Sequence, residues 1–222
     1  MDFFVKPSAA KLAADEDAAR KREQLQALCI ACNDKVFGFG GVFRPHQLDI
    51  VTAVMQNEDV YVIMPTGGGK SLCYALPAVL SPGITVVISP LLSLIEDQVS
   101  AFLSLRSGGI PSAYLTSGST ISQKNAILED LRRPRRGLEP FLKLLYMTPE
   151  RVANDVETQQ ILNDLYQNER LARFVVDEAH CVSSWGHDFR KDYARLHCLK
   201  DMYPEIPVVA LTATACRKVS ED

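Results

Sequence analysis

The residues of this chain best suited to chemistry lie in two short runs. Residues 64–71 read MPTGGGKS: three glycines, then a lysine and a serine, directly after the apolar run VYVIM at 60–64. Glycines let the backbone turn its N–H groups inward, and a helix beginning near Lys70 would add its unpaired amides and positive end. In such a cradle Thr66, Gly67, Gly68 and Gly69 would line a chain of phosphates. Lys70 would meet the outer oxygens as a point charge, and the Ser71 hydroxyl suits magnesium. The strict GxxxxGK[ST] pattern wants a glycine where Met64 stands, so the literal pattern fails. Its strand–turn–helix context is present all the same. The plainer alternative is a glycine-rich turn carrying an incidental lysine.

The second run is FVVDEAH at 174–180. Asp177 at the tip of an apolar strand would hold magnesium through water. Glu178 beside it would orient and deprotonate an attacking water. DEAH by itself is only four letters, and a charged helix start is the alternative. Beside a phosphate cradle it completes a metal-dependent site with Lys70, Asp177, Glu178 and His180 as catalytic candidates, and Ser71 and Asp177 as magnesium ligands.

Such residues need a scaffold. The 222 residues are 47% hydrophobic and 23% charged, the balance of a globular protein with a sizeable core. No apolar run approaches the roughly 18 residues that would suggest a membrane span. The start, MDFFVKPSAAKLAADED, lacks the apolar core of a secretory leader, so a reducing compartment is expected. Cys73, Cys181, Cys198 and Cys216 read as packing or surface thiols, and the lone CxxC of Cys29 and Cys32 has no second pair at zinc spacing. A net charge of −3 gives no global basic field, so any nucleic-acid contact must be local.

Residues 8–32, without internal Gly or Pro, predict a helix whose Leu25, Leu28, Cys29 and Cys32 share a docking face. Apolar runs at 60–64, 84–89, 113–116, 143–147, 174–177 and 208–212 then alternate with helical segments at 46–55, 70–79, 92–105, 121–131, 158–167 and 193–202. Strands apolar at nearly every position are buried on both faces. This predicts an α/β domain with a mostly parallel, doubly wound sheet and helices on both faces. Ligands in such domains bind at the carboxyl ends of the strands, where every motif falls. The stretch 132–140, RRPRRGLEP, reads as a solvated loop, so Arg132, Arg133, Arg135 and Arg136 are not assigned to a ligand.

Taken together, FRPHQ (43–47), MPTGGGKS (64–71), SPLLSLIEDQV (89–99), YMTPE (146–150), DEAH (177–180), CVSSWGHDFRKDY (181–193) and ALTATA (210–215) resemble the first RecA-like lobe of a superfamily-2 helicase of the RecQ group. The resemblance runs from about Phe37 to Ala215. It divides the chain into an N-terminal helical extension, 1–36, and an ATP-binding lobe, 37–222. It implies an ATP-dependent 3′–5′ DNA helicase acting in repair and recombination, with ATP and Mg2+, on single-stranded DNA and duplex junctions. Gln47 and Arg44 would meet the adenine, with Phe39 stacked on it, although this chain has one residue more than is usual between Phe39 and Arg44. Ser89, Pro90, Gln98 and Thr148, with Pro149 and Glu150, would hold the DNA backbone; helix capping is the other role open to such residues. Trp185, His187, Phe189 and Arg190 would form an aromatic-rich DNA-sensing loop, with burial of Trp185 in a folded-back loop as its alternative. Thr212 and Thr214 would couple the two sites.

The same resemblance implies a second lobe with an arginine finger, so these residues alone are expected to bind ATP and DNA without unwinding. An RNA-remodelling DEAH-type ATPase and a non-catalytic ATP- or DNA-binding module are the competing readings. A nuclear location follows only from the eukaryotic look of IEDQ at 95–98.

Overall fold

The six apolar runs pair into one sheet in the order β1-β6-β5-β2-β4-β3, every neighbour parallel. The structure, a computed structural model, describes residues 9–132, 140–182 and 191–213. The strands are β1 (Val60–Ile63), β2 (Ile84–Ile88), β3 (Ser112–Leu115), β4 (Leu144–Met147), β5 (Leu171–Val176) and β6 (Val208–Thr212). β2 and β4 are buried at every residue, as a strand covered on both faces requires, whereas the edge strand β1 exposes Tyr61 and Ile63.

Helices fall into two layers in chain order. α1 (Ala9–Cys32), α2 (Gln47–Met55), α3 (Leu72–Leu80) and α4 (Leu92–Leu103) cover one face. Their apolar residues pack with Val62, Val87, Tyr146, Val175 and Val209. α5 (Ile121–Arg132), α6 (Pro149–Asn154), α7 (Val156–Gln167), α8 (Lys191–Ala194) and α9 (Cys198–Met202) lie on the other face, over Val86, Ile88, Met147, Phe174 and Val176. Side chains alternate across each strand, so consecutive residues feed different cores.

Three local features depart from the sequence reading. Leu28 is 47% exposed, so α1 docks through Cys29 and Cys32, with Leu25 half-buried beside them. Burial pushes both thiols up to about 11, the state of inert packing residues. A short helix absent from the expected segments follows β4: after extended Thr148, Pro149 starts α6, with its missing N–H at a position that needs no partner. The helix expected over 193–202 is broken, with a 3-10 turn at Arg195–His197 between α8 and α9. Tyr193, Leu196 and Leu199 are all buried, and a repeated spacing of three stays on one line in the tighter helix while it drifts around an α-helix.

Candidate nucleotide and nucleic-acid site

All six strands point the same way, so their carboxyl ends form one rim. The cradle after β1, Asp177 after β5 and Thr212 at the end of β6 occupy adjacent strands. The backbone N–H of Met64 donates to the Thr212 carbonyl at 3.0 Å, fastening the entrance of the cradle to β6.

The cradle disfavours side chains, by backbone angle at Gly67, by close contacts at Gly68 and by both at Gly69. Gly67 and Gly69 have φ of +75° and +94°, which L residues with a Cβ rarely adopt. A Cβ on Gly68 would lie 2.5 Å from Met64 Cγ and 2.7 Å from the Pro65 carbonyl; one on Gly69 would lie 2.4 Å from Gln47 Nε2. Backbone amides at such a turn are open to a close-approaching anion, so the residues present fit a phosphate chain. α3 starts at Leu72 with Ser71 as its cap residue, two residues later than the sequence suggests, and Thr66 is exposed on the loop.

Gln47 braces this turn. It is 3% exposed; its Oε1 accepts from the Arg44 backbone N–H at 2.7 Å and its Nε2 donates to the Gly69 carbonyl at 3.1 Å. The Arg44 guanidinium bonds the Gly67 carbonyl. Beside them opens a cavity of about 470 Å³ lined by Phe37, Phe39, Phe43, Arg44 and Gln47 and floored by Phe102 of α4. Phe39 is exposed and its ring stacks on that of Phe37 at 6.4 Å between centroids. Apolar walls with few polar groups suit a flat heteroaromatic ring.

Across the rim Lys70 Nζ lies 3.6 Å from Glu178 Oε1. Glu178 is held at φ +53°, a backbone state that costs energy for a residue with a Cβ and clusters at functional positions. His180 Nδ1 lies 3.3 Å from Glu178 Oε2 and 3.1 Å from Thr212 Oγ1, so one ring joins the acidic pair to β6. Asp177 is 6% exposed; its Oδ1 accepts from the Glu178 N–H at 3.0 Å, and the Tyr193 hydroxyl donates to its carbonyl at 2.8 Å. Burial, and then the Glu178 charge, raise the Asp177 carboxyl above the ordinary aspartate value, with Lys70 opposing them. A buried carboxylate on the same rim as the cradle, with the Ser71 hydroxyl at the cradle's end, is a donor chemistry that fits a hard divalent cation.

The other half of the rim is β2 and β4. Ser89 is buried with no hydrogen-bond partner for its Oγ among the described residues, and Pro90 is half-buried beside it. Thr148 caps α6 through its carbonyl, which accepts from the Arg151 and Val152 N–H groups, while its side chain makes no cap bond. Glu150 is exposed. Gln98 faces inward, and its Oε1 accepts from the Tyr74 hydroxyl at 2.6 Å. Trp185, His187, Phe189, Arg190 and Thr214 lie outside the described residues, as do Arg133, Arg135 and Arg136; Arg132 ends α5.

Residues 44–221 match the family of DEAD/DEAH box helicases. The chain belongs to that family. Among curated proteins it is 49% identical over 180 residues to the RecQ-like DNA helicase BLM of Xenopus laevis, covering 81% of this chain and 13% of that protein. It is 50% identical over 190 residues to ATP-dependent DNA helicase Q-like 4B of Arabidopsis thaliana, 86% of this chain and 16% of that one. The yeast ATP-dependent helicase SGS1 is 45% identical over 192 residues, 85% and 13%. The chain thus spans well under a fifth of these relatives. In fold, it matches the crystal structure of the DUF1998 helicase MrfA with a TM-score of 0.67 at 18% identity, over 88% of this chain and 30% of that one. The same helicase bound to DNA and AMPPNP matches at 0.65 and 17%, over 86% and 27%. The RecA-like helicase fold expected from the motifs is the one present.

Sequence reasoning singled out the polar ends after β1, β2, β4, β5 and β6 but missed the tyrosines behind them. Tyr193 closes CVSSWGHDFRKDY, and Tyr74 and Tyr146 stand in otherwise apolar runs. A lone hydroxyl in a run destined for the core was the available signal, because such a group must find a partner inside.

Proposed function

We propose that this chain is the nucleotide-binding lobe of a RecQ-type ATP-dependent DNA helicase, coupling Mg-ATP binding and hydrolysis to 3′–5′ movement on single-stranded DNA and strand separation. The observation that carries it is the side-chain-free cradle at Gly67–Gly69 facing Asp177 and Glu178 across one rim. The similarity to RecQ-like helicases supports DNA as the substrate class.

In this reading the Gly67–Gly69 amides and Lys70 bind the phosphates, which draws Lys70 off Glu178. Ser71 and Asp177 would hold magnesium. The ion supplies charge neutralisation at the phosphates and geometric order. Glu178 orients a water against the outer phosphate and takes its proton, and His180 sets the angle of that carboxylate while tying it to Thr212. Gln47 and Arg44 fix the turn and face the base, and Phe39 lies at the mouth of the apolar cavity. Ser89, Pro90, Thr148 and the segment holding Trp185, His187, Phe189 and Arg190 are assigned to the strand, with Thr212 and Thr214 between the two functions. Gln98 belongs to the strand-facing half through its position on α4.

Multiple-turnover strand separation is assigned to the whole protein rather than to these 222 residues, and a nuclear location accompanies a role in repair and recombination. Calorimetry tests the central claim. Magnesium-dependent uptake of a nonhydrolysable ATP analogue is expected, and its absence at millimolar ligand in folded protein would refute the reading. Stronger stimulation of hydrolysis by single-stranded RNA than by DNA in the full-length protein would redirect it to RNA remodelling.

A further inference from the structure

One peptide unit carries the backbone strain of the acidic pair. The carbonyl of Asp177 and the N–H of Glu178 belong to the same planar group and point to opposite sides of the chain. Glu178 sits at φ +53°, so it would gain energy by returning to an ordinary negative φ. That return requires the group to rotate, and any such rotation moves the root of a side chain now set 3.6 Å from Lys70 Nζ and 3.3 Å from His180 Nδ1.

Both sides of the group are fastened. The Glu178 N–H donates to Asp177 Oδ1 at 3.0 Å, and the Asp177 carbonyl accepts from the Tyr193 hydroxyl at 2.8 Å. The first bond is made to the carboxylate that the function above assigns to magnesium, so its oxygen is shared between two tasks. The second is made by a group with no other assigned task. Tyr193 is therefore the fastening that is independent of what the carboxylate holds.

Tyr193 is itself held in place. It is wholly buried and shares one apolar core with Val152 of α6, Ala179 and Cys181. Residues on either side of it are tied to the last residue of α6. Asn154 Nδ2 donates to Asp192 Oδ1 at 3.1 Å, and the Arg195 guanidinium donates to Asn154 Oδ1. Asn154 thus spends both ends of its amide on the turn that carries Tyr193. Helix α6 starts directly after Thr148, so direct hydrogen bonds run from the carboxyl end of β4 to the strained peptide.

We propose that Tyr193 is a positioning residue that locks the Asp177–Glu178 peptide and so keeps Glu178 aimed, and that Asn154 ties this lock to helix α6 on the strand-facing half of the rim. The proposal rests on the reading of Glu178 as the group that orients the attacking water.

The test reads backbone and turnover separately. Exchange of the Glu178 amide is followed by NMR in the nucleotide-free chain, and kcat and KM for ATP are measured on the full-length protein with saturating oligo-dT. In Tyr193→Phe the Glu178 amide is expected to exchange at least about tenfold faster relative to the amides of residues 174–176. In the same variant kcat should fall by about 10–100-fold, with KM within about twofold. A tyrosine that only supports the fold would instead speed exchange equally along β5 and leave kcat of the folded protein unchanged, and that result overturns the lock. Asn154→Ala removes only exposed bonds and keeps the Tyr193 hydroxyl. It should fold, speed exchange at Glu178 selectively and lower kcat by a smaller factor of about 2–5, and it decides the matter if Tyr193→Phe fails to fold. Both readings unchanged in Asn154→Ala overturn the tie to α6. A full-length protein that takes up no nucleotide strikes the proposed function instead, while exchange at Glu178 still judges Tyr193.

Discussion

The two halves of the rim differ in how completely they are assembled. Around β1, β6 and β5 nearly every polar group has a partner: Gln47 on Gly69, Arg44 on Gly67, Lys70 toward Glu178, His180 on Thr212, Tyr193 on Asp177. Around β2, β4 and β3 the buried Ser89 hydroxyl lacks a partner among the described residues. A phosphate cradle must be stiff before its ligand arrives, because ordering it afterwards would subtract from affinity. A surface that tracks a flexible strand without reading sequence has less need of that stiffness. The difference matches a small, invariant ligand on one side and a large, variable one on the other.

Breaking the stiff half should produce the largest effects. Lys70→Ala is expected to weaken magnesium–nucleotide binding by at least about tenfold, from loss of a charge-assisted contact, and to leave strand affinity without nucleotide unchanged. Calorimetry and a fluorescent oligo-dT titration read the two halves separately. A parallel loss of strand affinity would mean that the halves are not separable.

Gly68→Ala forces a Cβ against the Met64 side chain and the Pro65 carbonyl. Denaturant unfolding should show a loss of about 1–3 kcal/mol, with nucleotide uptake abolished. A variant that melts normally and binds normally would show the cradle to be softer than its geometry states.

Asp177→Asn sharpens the comparison by separating function from stability. It keeps an Oδ1 to accept from Glu178 N–H while removing a charge that burial disfavours. Magnesium dependence should vanish while stability holds or rises. The sign follows from a folded-state pKa raised above the unfolded one. The contribution of a neutral Asp177 is fully present below the ordinary aspartate value and is lost as pH rises through the raised one. Thermal melts without magnesium should therefore show the variant's advantage growing from acidic to neutral pH.

The smallest effect belongs to the loose half. Ser89→Ala removes a buried hydroxyl that has no partner among the described residues, so stability should be unchanged or higher by up to about 1 kcal/mol. Strand affinity should fall only a few-fold, with nucleotide uptake intact. Clear destabilisation in a melt would mean that Ser89 already has a partner in solution.

The stiff half was also the more legible one. Its glycines, Lys70, Ser71 and the DEAH run are local patterns of residue type and spacing, and the parallel direction of the strands follows from apolar runs alternating with helices. Gln47 stood out from its place in FRPHQ, but its bracing of Gly69 was not visible, because the two are joined only when α2 and α3 pack. Leu28 was placed on a buried face because periodicity alone does not say how wide a helix's contact stripe is. The break within residues 193–202 was missed because a spacing of three reads like helical spacing until the core registers it.

The sequence by itself determined an α/β domain with a glycine-rich turn and an acidic pair at strand ends, because glycine runs, strand periodicity and charged strand tips are properties of neighbouring residues. Only the tertiary structure decided that Glu178 faces Lys70, that His180 bridges to Thr212, and that Tyr74, Tyr146 and Gln98 form one buried line. Those contacts join residues from 24 to 108 positions apart in pairs such as Tyr74–Gln98 and Lys70–Glu178. Their partners are chosen by strand order and helix packing, which no local pattern encodes.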